Sequence, residues 1–347
     1  NPTVRSFEQR LACMEGAQDG VAFSSGMAAI AAIAHAWLSA GKNVVCSRDV
    51  FGTTLTVFRQ YFGKLGTQVR LVSLVDRDEW RQTIDSNTAF VFLETPSNPT
   101  LQVAAISDIA QMAHSFGALV VVDNTLMTPI QQNPLKHGAD VVVHSAGKYI
   151  DGQGRCVAGV VLGSERLMND IRAVLRVMGA ALSPMDAWLL LKSLETLSLL
   201  IAAIACNAMH VAKWLRGEPK VGKVFYTGLP DHPQYDIANA QQSDHGGIVS
   251  FEVGVDRECA WHVIDSLKLI SIATSIGDTR TMVTHPASTT HGKLTPLDRE
   301  KAGVSERLIR LSVGLESPLD ITKDLRVALA GNQVLPVGLL KLDMAGV

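Results

Sequence analysis

Cysteine is scarce in this sequence. Its five cysteines lie far apart along 347 residues, and no CxxC pair occurs. This spacing argues against a zinc site, and no other metal site is expected. The odd number favours reduced thiols, which are typical of a cytoplasmic protein. No signal peptide is recognisable, which agrees with a cytoplasmic location.

Charge is also sparse. Charged residues make up 18% of the chain and the formal net charge is −2. The low fraction suggests that much of the surface is buried, including surface between subunits. Basic residues are scattered, so nothing predicts a nucleic-acid or anionic-membrane partner. The longest apolar stretches, such as residues 197–206, are too short to span a bilayer.

The length predicts two domains, which we place at residues 1–193 and 194–347. In the first, short β-branched runs alternate with helical stretches. Strands are predicted at 21–23, 43–46, 69–72, 88–94, 118–123, 141–144 and 157–163, and helices at 27–39, 55–62 and 106–116. Strands that are apolar on both faces indicate a parallel sheet covered on both sides. Ligands bind beyond the carboxyl ends of such strands.

The second half differs in pattern. A long apolar helical stretch at 186–215 crosses the boundary. Alternating strands at 248–253 and 308–313 follow, with a helix at 259–266 between them. This order predicts a smaller α+β domain.

A lysine follows one predicted strand. The run Val141-Val142-Val143-His144 leads through Ser145, Ala146 and Gly147 to Lys148. A lysine at the ligand edge of a parallel sheet is well placed to form a Schiff base. Taken alone, most lysines are solvated surface charges.

A carboxylate ends the neighbouring strand. Asp123 follows Leu119-Val120-Val121-Val122. Enzymes that use pyridoxal 5′-phosphate (PLP) need an acid beside the pyridine nitrogen to keep the ring an electron sink. An aspartate that caps the next turn is the alternative. Asp123 together with Lys148 favours a PLP site.

Three further segments are suited to the remaining parts of such a cofactor. Gly26 and Met27 open a helix after Phe23-Ser24-Ser25, where free N–H groups bind phosphate. Asn98, in a proline-containing turn after a strand, is suited to a ring oxygen. Phe51 is suited to stacking on a pyridine ring. Individually, these segments are more often an ordinary strand-to-helix turn, a simple turn and a core aromatic.

In this order and spacing, these segments resemble the Cys/Met-metabolism family of PLP-dependent enzymes. The similarity runs from Asn1-Pro2-Thr3 almost to the C-terminus. The shared motifs are SSGM at 24–27, ETPSNP at 94–99, VDNT at 122–125, HSAGKY at 144–149, HPAS at 285–288 and RLSVGLE at 310–316. The resemblance implies PLP as cofactor and an α/β fold of the aspartate aminotransferase-like type (fold type I). Such a fold has a mostly parallel large domain and a smaller α+β C-terminal domain.

The resemblance also implies a role for each motif residue. Lys148 is the catalytic residue, which holds the cofactor covalently and transfers protons. The remaining cofactor-binding residues are Asp123 at the pyridine nitrogen, Phe51 on the ring, Asn98 at the phenolic oxygen, and Gly26, Met27 and Ser145 at the phosphate. Arg310 and Ser275 bind the substrate carboxylate, for which a guanidinium fork is suited. The expected assembly is a homotetramer, a dimer of dimers that share active sites.

Three stretches within the family resemblance point to a sulfhydrylase: residues 148–156, 277–284 and 290–295. The first is similar to O-succinylhomoserine sulfhydrylases in particular. We therefore expect γ-replacement, in which O-succinylhomoserine and sulfide give homocysteine and succinate. Cystathionine γ-synthase and a γ-lyase acting on cystathionine or methionine are the alternatives.

An alternative of another class is a family member that keeps the fold and serves as a binding or assembly subunit. Gly147 stands where relatives carry Thr or Ser, and Leu200 where they often carry Arg. The family's Tyr-x-Arg segment, which reaches a neighbouring subunit's phosphate, would precede Asn1. Lys148 and Asp123 are both retained, which favours an enzyme.

Overall fold

The computed structural model describes residues 1–331. These residues form two compact units. The first comprises Asn1–Asn98, Gln102–Ser198 and Asp236–Ser243, and the second comprises Pro99–Leu101, Leu199–Tyr235 and residues 244–331. The domain boundary at 193/194 stays a prediction, and residues 332–347 of the predicted second domain lie outside the described residues.

The first unit contains a seven-stranded sheet. Its strands are β1 Asp19–Phe23, β2 Asn43–Ser47, β3 Gln68–Val72, β4 Thr88–Glu94, β5 Leu119–Asp123, β6 Val141–His144 and β7 Gly159–Gly163. The order across the sheet is β1-β7-β6-β5-β4-β2-β3. Strand β7 is antiparallel to both of its neighbours, whereas the other adjacent pairs are parallel. The predicted mostly parallel sheet is confirmed.

Helices cover both faces of this sheet. They are α1 Pro2–Glu15, α2 Gly26–Trp37, α3 Gly52–Thr56, α4 Arg77–Thr83, α5 Ile106–Ser115, α6 Thr128–Gln131, α7 Glu165–Met178 and α8 Pro184–Ser193. Short 3₁₀ turns lie at Gly63–Leu65 and Pro134–His137. The predicted helix at 55–62 is instead the end of α3 followed by a π-helix, Val57–Phe62.

Alternate residues of the central strands enter two separate cores. Phe92, Val121 and Val143 belong to the core that packs under α2 and α7. Leu93 and Val122 belong to the core under α4 and α5. Successive side chains of a strand point to opposite faces, so a strand buried on both sides must be apolar throughout. This requirement explains the unbroken apolar runs of the sequence.

The second unit contains a mainly antiparallel sheet. Its strands are β8 Val221–Phe225, β9 Ile248–Val253, β10 Ser271–Ile272, β11 Met282–Thr284 and β12 Leu308–Ser312, in the order β10-β11-β12-β9-β8. The remaining helices along the chain are α9 Leu197–Gly217, α10 Tyr235–Gln241, α11 Arg257–Ser266, α12 Pro296–Lys301 and α13 Pro318–Leu329. The α+β character predicted for this part of the chain agrees with these elements.

The predicted long helix at 186–215 is two helices. Helix α8 ends at Ser193, and Glu195 N and Thr196 N donate to carbonyls three residues back, Lys192 O and Ser193 O. These tighter bonds interrupt the regular pattern before α9 begins. Helix α9 continues past Cys206 to Gly217, so it is longer than the apolar stretch in the sequence suggested.

Among the described residues, α9 alone is long and apolar enough to cross a membrane by length and composition. Core helices of soluble proteins meet the same criteria. Its buried residues recur every three or four positions, as in a helix with one face toward a core: Leu197, Ile201, Ile204, Ala205, Ala208, Val211, Ala212 and Leu215. The helix is therefore weak support for a membrane location.

A charge network ties α1 to the sheet edge. Asp19, at the start of β1, is buried and accepts hydrogen bonds from Arg5 (2.5 Å) and Arg172 (2.7 Å). Burial opposes the charge of Asp19, but the hydrogen bonds from the two arginines outweigh it and lower the pKa of the carboxyl. The network therefore stabilises the fold wherever Asp19 is ionised.

We expect Asp19→Asn to lower the free energy of unfolding by about 1–3 kcal/mol at pH 7, because two hydrogen bonds to a charged acceptor are weakened. A carboxyl whose pKa is lowered on folding stabilises above its unfolded pKa. This stabilisation disappears as the pH falls through the folded pKa, so the effect of the substitution disappears as well. Urea denaturation of the parent and the variant, from pH 7 down through the folded pKa of Asp19, measures this difference in the free energy of unfolding.

Asp78→Asn is the matched control. Asp78 pairs with Arg81 on the protein surface, with both side chains more than half exposed. It should cost about 0.5 kcal/mol or less. Equal losses in the two variants would contradict the role of the Asp19 network.

Candidate active site

The carboxyl end of β5 presents Asp123. Its Oδ1 accepts hydrogen bonds from Thr125 N (3.0 Å) and from Thr125 Oγ1 (2.5 Å). Burial raises the pKa of Asp123, and the two Thr125 hydrogen bonds and the nearby His144 only partly oppose this shift. A buried carboxylate that is held by two hydrogen bonds is suited to pair with a cationic ring nitrogen.

The adjacent strand β6 delivers Lys148 in a tight turn. Ser145 N donates to Thr125 Oγ1 at 2.8 Å, which links this turn to Asp123. Lys148 N donates to Ser145 O, and Gly152 N donates to Lys148 O. The half-buried Lys148 thus leaves the sheet one short turn after the strand that neighbours Asp123. The structure brings Lys148, Ser145 and Asp123 to the same edge of the sheet.

The N-terminus of α2 approaches Ser145. Ser25 caps the helix by accepting from Ala28 N, so the N–H groups of Gly26 and Met27 lie in a first turn without acceptors within the helix. A Cβ placed on Gly26 would lie 2.9 Å from Ser145 Cβ, so a side chain there would fill the space between them. Backbone N–H groups beside a hydroxyl are the donors that a phosphate needs. These residues fit the phosphate of PLP.

Phe51 lies in the loop after β2, and its side chain is about half exposed. Its backbone N donates to Glu94 Oε2 at 3.0 Å. Glu94 is the last residue of β4 and pairs in register with Asp123. Burial, and then the negative charge of Asp123, raise the pKa of Glu94 well above its usual value. In the sequence, Glu94 stands out only as part of the ETPSNP motif at 94–99.

The loop that follows Glu94 is held by hydrogen bonds and carries Asn98. Ser97 N donates to Gln102 O, and Ala104 N donates to Thr95 Oγ1. The half-buried Asn98 therefore follows the neighbouring strand end in an ordered turn. The predicted ring-oxygen contact of Asn98 stays a prediction.

Behind Asp123, a buried polar cluster supports the sheet end. Glu15 Oε2 contacts His144 Nε2 at 2.8 Å, and Glu15 Oε1 accepts from Asn124 Nδ2 at 3.1 Å. All three side chains are buried. No local sequence pattern predicts the contact of Glu15 with His144, because these residues are far apart in the chain.

Arg310 and Ser275 lie in the second unit. Arg310 is on β12 and is buried, and its Nη2 donates to Thr274 O (2.9 Å) and Ser275 O (3.1 Å). Burial, and then the charge of Arg310, lower the pKa of His291 to about 4. The structure thus brings Arg310 and Ser275 together, with a neutral imidazole near the guanidinium. Their predicted contact with a substrate carboxylate stays a prediction.

Gly147, the residue before Lys148, lies against backbone. A Cβ at this position would be 2.5 Å from Cys156 O and 3.2 Å from Val157 Cα. Residues 156–157 would therefore have to move before a Thr or Ser could occupy position 147. The glycine is the residue that this local packing accommodates.

We expect Gly147→Ser to lower the free energy of unfolding of the cofactor-free protein by about 1–3 kcal/mol, because overpacking forces the backbone to shift. Chemical denaturation of the two proteins measures the difference. Gly217→Ala is the matched control, since a Cβ there meets nothing within 4 Å. It should be neutral or slightly stabilising. A Gly147→Ser variant as stable as the parent would show that residues 156–157 yield easily.

Comparisons with known proteins give consistent results over most of the chain. A family model described as Cys/Met metabolism PLP-dependent enzyme matches residues 1–330. An O-succinylhomoserine sulfhydrylase from Pseudomonas aeruginosa is 47% identical over 330 residues, which cover 95% of this chain and 82% of that protein. An L-methionine gamma-lyase from Fusobacterium nucleatum is 40% identical over 332 residues, with 95% and 84% covered.

A solved structure gives the same result. The crystal structure of metB from Corynebacterium glutamicum matches with a TM-score of 0.91 and 34% sequence identity, covering 95% of this chain and 85% of that chain. The predicted fold, PLP as cofactor and the expectation of an enzyme are confirmed. The activity is PLP-dependent γ-elimination or γ-replacement in methionine metabolism. This chain belongs to the family of Cys/Met metabolism PLP-dependent enzymes.

Proposed function

We propose that this enzyme performs γ-replacement on O-succinylhomoserine with sulfide and releases homocysteine and succinate. One structural observation carries the proposal: Lys148, Asp123 and a donor cradle made by Gly26, Met27 and Ser145 meet at one end of a parallel sheet. The choice of substrate is supported by the 47% identical O-succinylhomoserine sulfhydrylase.

When bound, PLP supplies an electron sink for carbanions next to the amino group of the substrate. Lys148 Nζ would hold the cofactor covalently and would transfer protons at Cα and Cβ of the substrate. Asp123 would keep the pyridine nitrogen protonated. Phe51 would cover the ring, and Asn98 would bind the phenolic oxygen.

For the substrate α-carboxylate, the proposed contacts are Arg310, through its guanidinium fork, and Ser275. The buried guanidinium is already oriented by two carbonyl groups, so little side-chain entropy is lost on binding. At Cγ, the bond to the succinate oxygen breaks and a bond to sulfur forms, and succinate leaves as the carboxylate.

The main alternative is γ-elimination. The 40% identical L-methionine gamma-lyase motivates it, since it uses the same cofactor chemistry without an external nucleophile. A γ-synthase that takes cysteine in place of sulfide is the third candidate. The three activities differ in product, so they can be separated directly.

We also propose a cytoplasmic homotetramer, a dimer of dimers. Large apolar side chains of α7 and α8 are exposed in the described residues, namely Val177, Met178, Met185 and Trp188. Exposed large apolar side chains are typical of interfaces between subunits. The low charged fraction of the sequence points the same way.

With PLP, O-succinylhomoserine and sulfide, we expect homocysteine as the main product. Homocysteine, cystathionine and 2-oxobutyrate are quantified together, with cysteine replacing sulfide in a parallel reaction. Mainly 2-oxobutyrate would favour the lyase, and mainly cystathionine with cysteine would favour the synthase. Either result would contradict the proposed sulfhydrylase.

Lys148→Ala should reduce turnover by about 100-fold or more, because a positioned general base contributes about 10²–10⁴-fold. It should also remove the visible absorbance of covalently held cofactor. Lys136→Ala is the control, since Lys136 is exposed and its Nζ donates to Asn133 Oδ1. Parent-like turnover in the Lys148 variant would exclude this residue as the catalytic lysine.

A further inference from the structure

Two strand ends present carboxyl side chains on one face of the first sheet. Glu94 and Asp123 stand two residues beyond Phe92 and Val121, which share one core, and Ser145 directly follows the end of β6. Side chains two residues apart in a strand point to the same face. For β4 and β5 the register is direct, because Glu94 and Asp123 are paired partners. Glu94 therefore lies on the same face as Asp123, a proposed cofactor contact.

Glu94 holds the loop that carries Phe51. Phe51 N donates to Glu94 Oε2 at 3.0 Å, and Phe51 O accepts from Thr54 N at 2.8 Å at the start of α3. The preceding residues are anchored as well, since Arg48 N donates to Val72 O and Asp49 accepts from Leu74 N. The contact with Glu94 is thus the link between this loop and the strand beside Asp123.

The groups around Glu94 are mostly acidic. The negative charges of Asp123 and Asp49 raise the pKa of the Glu94 carboxyl. The Cys46 thiol is close by, and burial raises its pKa. The positive charge of Arg59 partly opposes this shift in the pKa of Cys46. Two buried carboxyls on adjacent strand ends do not both ionise readily. Burial and the neighbouring charges raise the pKa of Glu94 well above its usual value, whereas the Thr125 hydrogen bonds favour the charged form of Asp123.

We propose that Glu94 is a positioning residue: from the strand end beside Asp123, it fixes Phe51 through the backbone amide. The inference rests on the proposed roles of Phe51 and Asp123 in holding the cofactor. Glu94 itself contacts neither the substrate nor the reacting atoms. The hydrogen bond keeps the Phe51 ring in place, and the raised pKa of Glu94 favours its neutral form beside Asp123.

The test compares Glu94→Gln with Glu94→Ala in the full-length enzyme. Gln keeps an oxygen that accepts from Phe51 N and carries no charge, so it mimics the neutral form of Glu94. Three quantities are measured: the PLP dissociation constant, the visible circular dichroism of bound cofactor, and the pH midpoint of its absorbance band.

For Glu94→Gln we expect PLP affinity within about threefold of the parent and a pH midpoint shifted by less than about 0.3 unit. If Glu94 were ionised, Gln would remove a negative charge beside a cationic group and lower the midpoint. A lower midpoint, or a tenfold loss of affinity, would overturn the proposal. Glu94→Gln tests the proposed role of Glu94 even if Glu94→Ala does not fold.

For Glu94→Ala we expect PLP binding to weaken by about tenfold, equivalent to about 1.4 kcal/mol for one lost hydrogen bond, with reduced circular dichroism. In a Phe51→Ala background, the same change should have an effect of less than about threefold, because Glu94 acts through Phe51. Independent, fully additive losses would overturn the positioning role.

Glu79→Gln is the matched control. Glu79 also anchors this region, by accepting from Ser73 N and from Arg48, but it is half exposed and lies on α4 rather than beside Asp123. It should leave all three cofactor measurements unchanged. A shift in the control equal to that in Glu94→Ala would overturn the assignment to Glu94.

Lys148→Ala separates this inference from the proposed function. Loss of the visible band in that variant, together with parent-like binding in Glu94→Ala, would refute only the role of Glu94. A visible band that survives Lys148→Ala would refute the proposed function and, with it, the basis of this inference.

Discussion

The register of parallel strands is the constraint on which the site depends. Because β4, β5 and β6 run in the same direction side by side, their last residues converge at one edge of the sheet. The side-chain period of two then decides which residues share a face. Glu94 and Asp123 lie on the face of the sheet that packs against the core under α2, and Ser145 follows β6 at the same edge. The N-terminus of α2 lies against Ser145. Shifting one strand by a single residue would turn its side chain to the other face.

Burial disfavours the charged form of the carboxyl groups at this edge of the sheet. Desolvation raises the pKa of both Glu94 and Asp123, and their proximity makes double ionisation more costly still. Hydrogen bonds distribute the charge unequally: Thr125 donates twice to Asp123, whereas Glu94 accepts one backbone amide. This difference favours the negative charge on Asp123, the residue that we propose to lie beside the pyridine nitrogen of PLP.

Much of the fold and part of the site followed from sequence patterns. Apolar runs located the sheet strands, and β4 and β6 begin and end at the predicted residues. Helix ends were less accurate, since bonds three residues back split the stretch at 186–215 into α8 and α9. The contacts of Glu94 and Glu15 were missed, because they join residues 43 and 129 positions apart.

By itself, the sequence determined the family, the cofactor and the alternation of strands and helices, because ordered motifs and apolar periodicity are local properties of the chain. Only the tertiary structure decided how residues distant in sequence meet. It brought Phe51 to Glu94 and Gly26 to Ser145, and it placed backbone so close to Gly147 that a side chain there would require movement. Such contacts depend on strand register and on the approach of neighbouring elements, which no single segment of the sequence specifies.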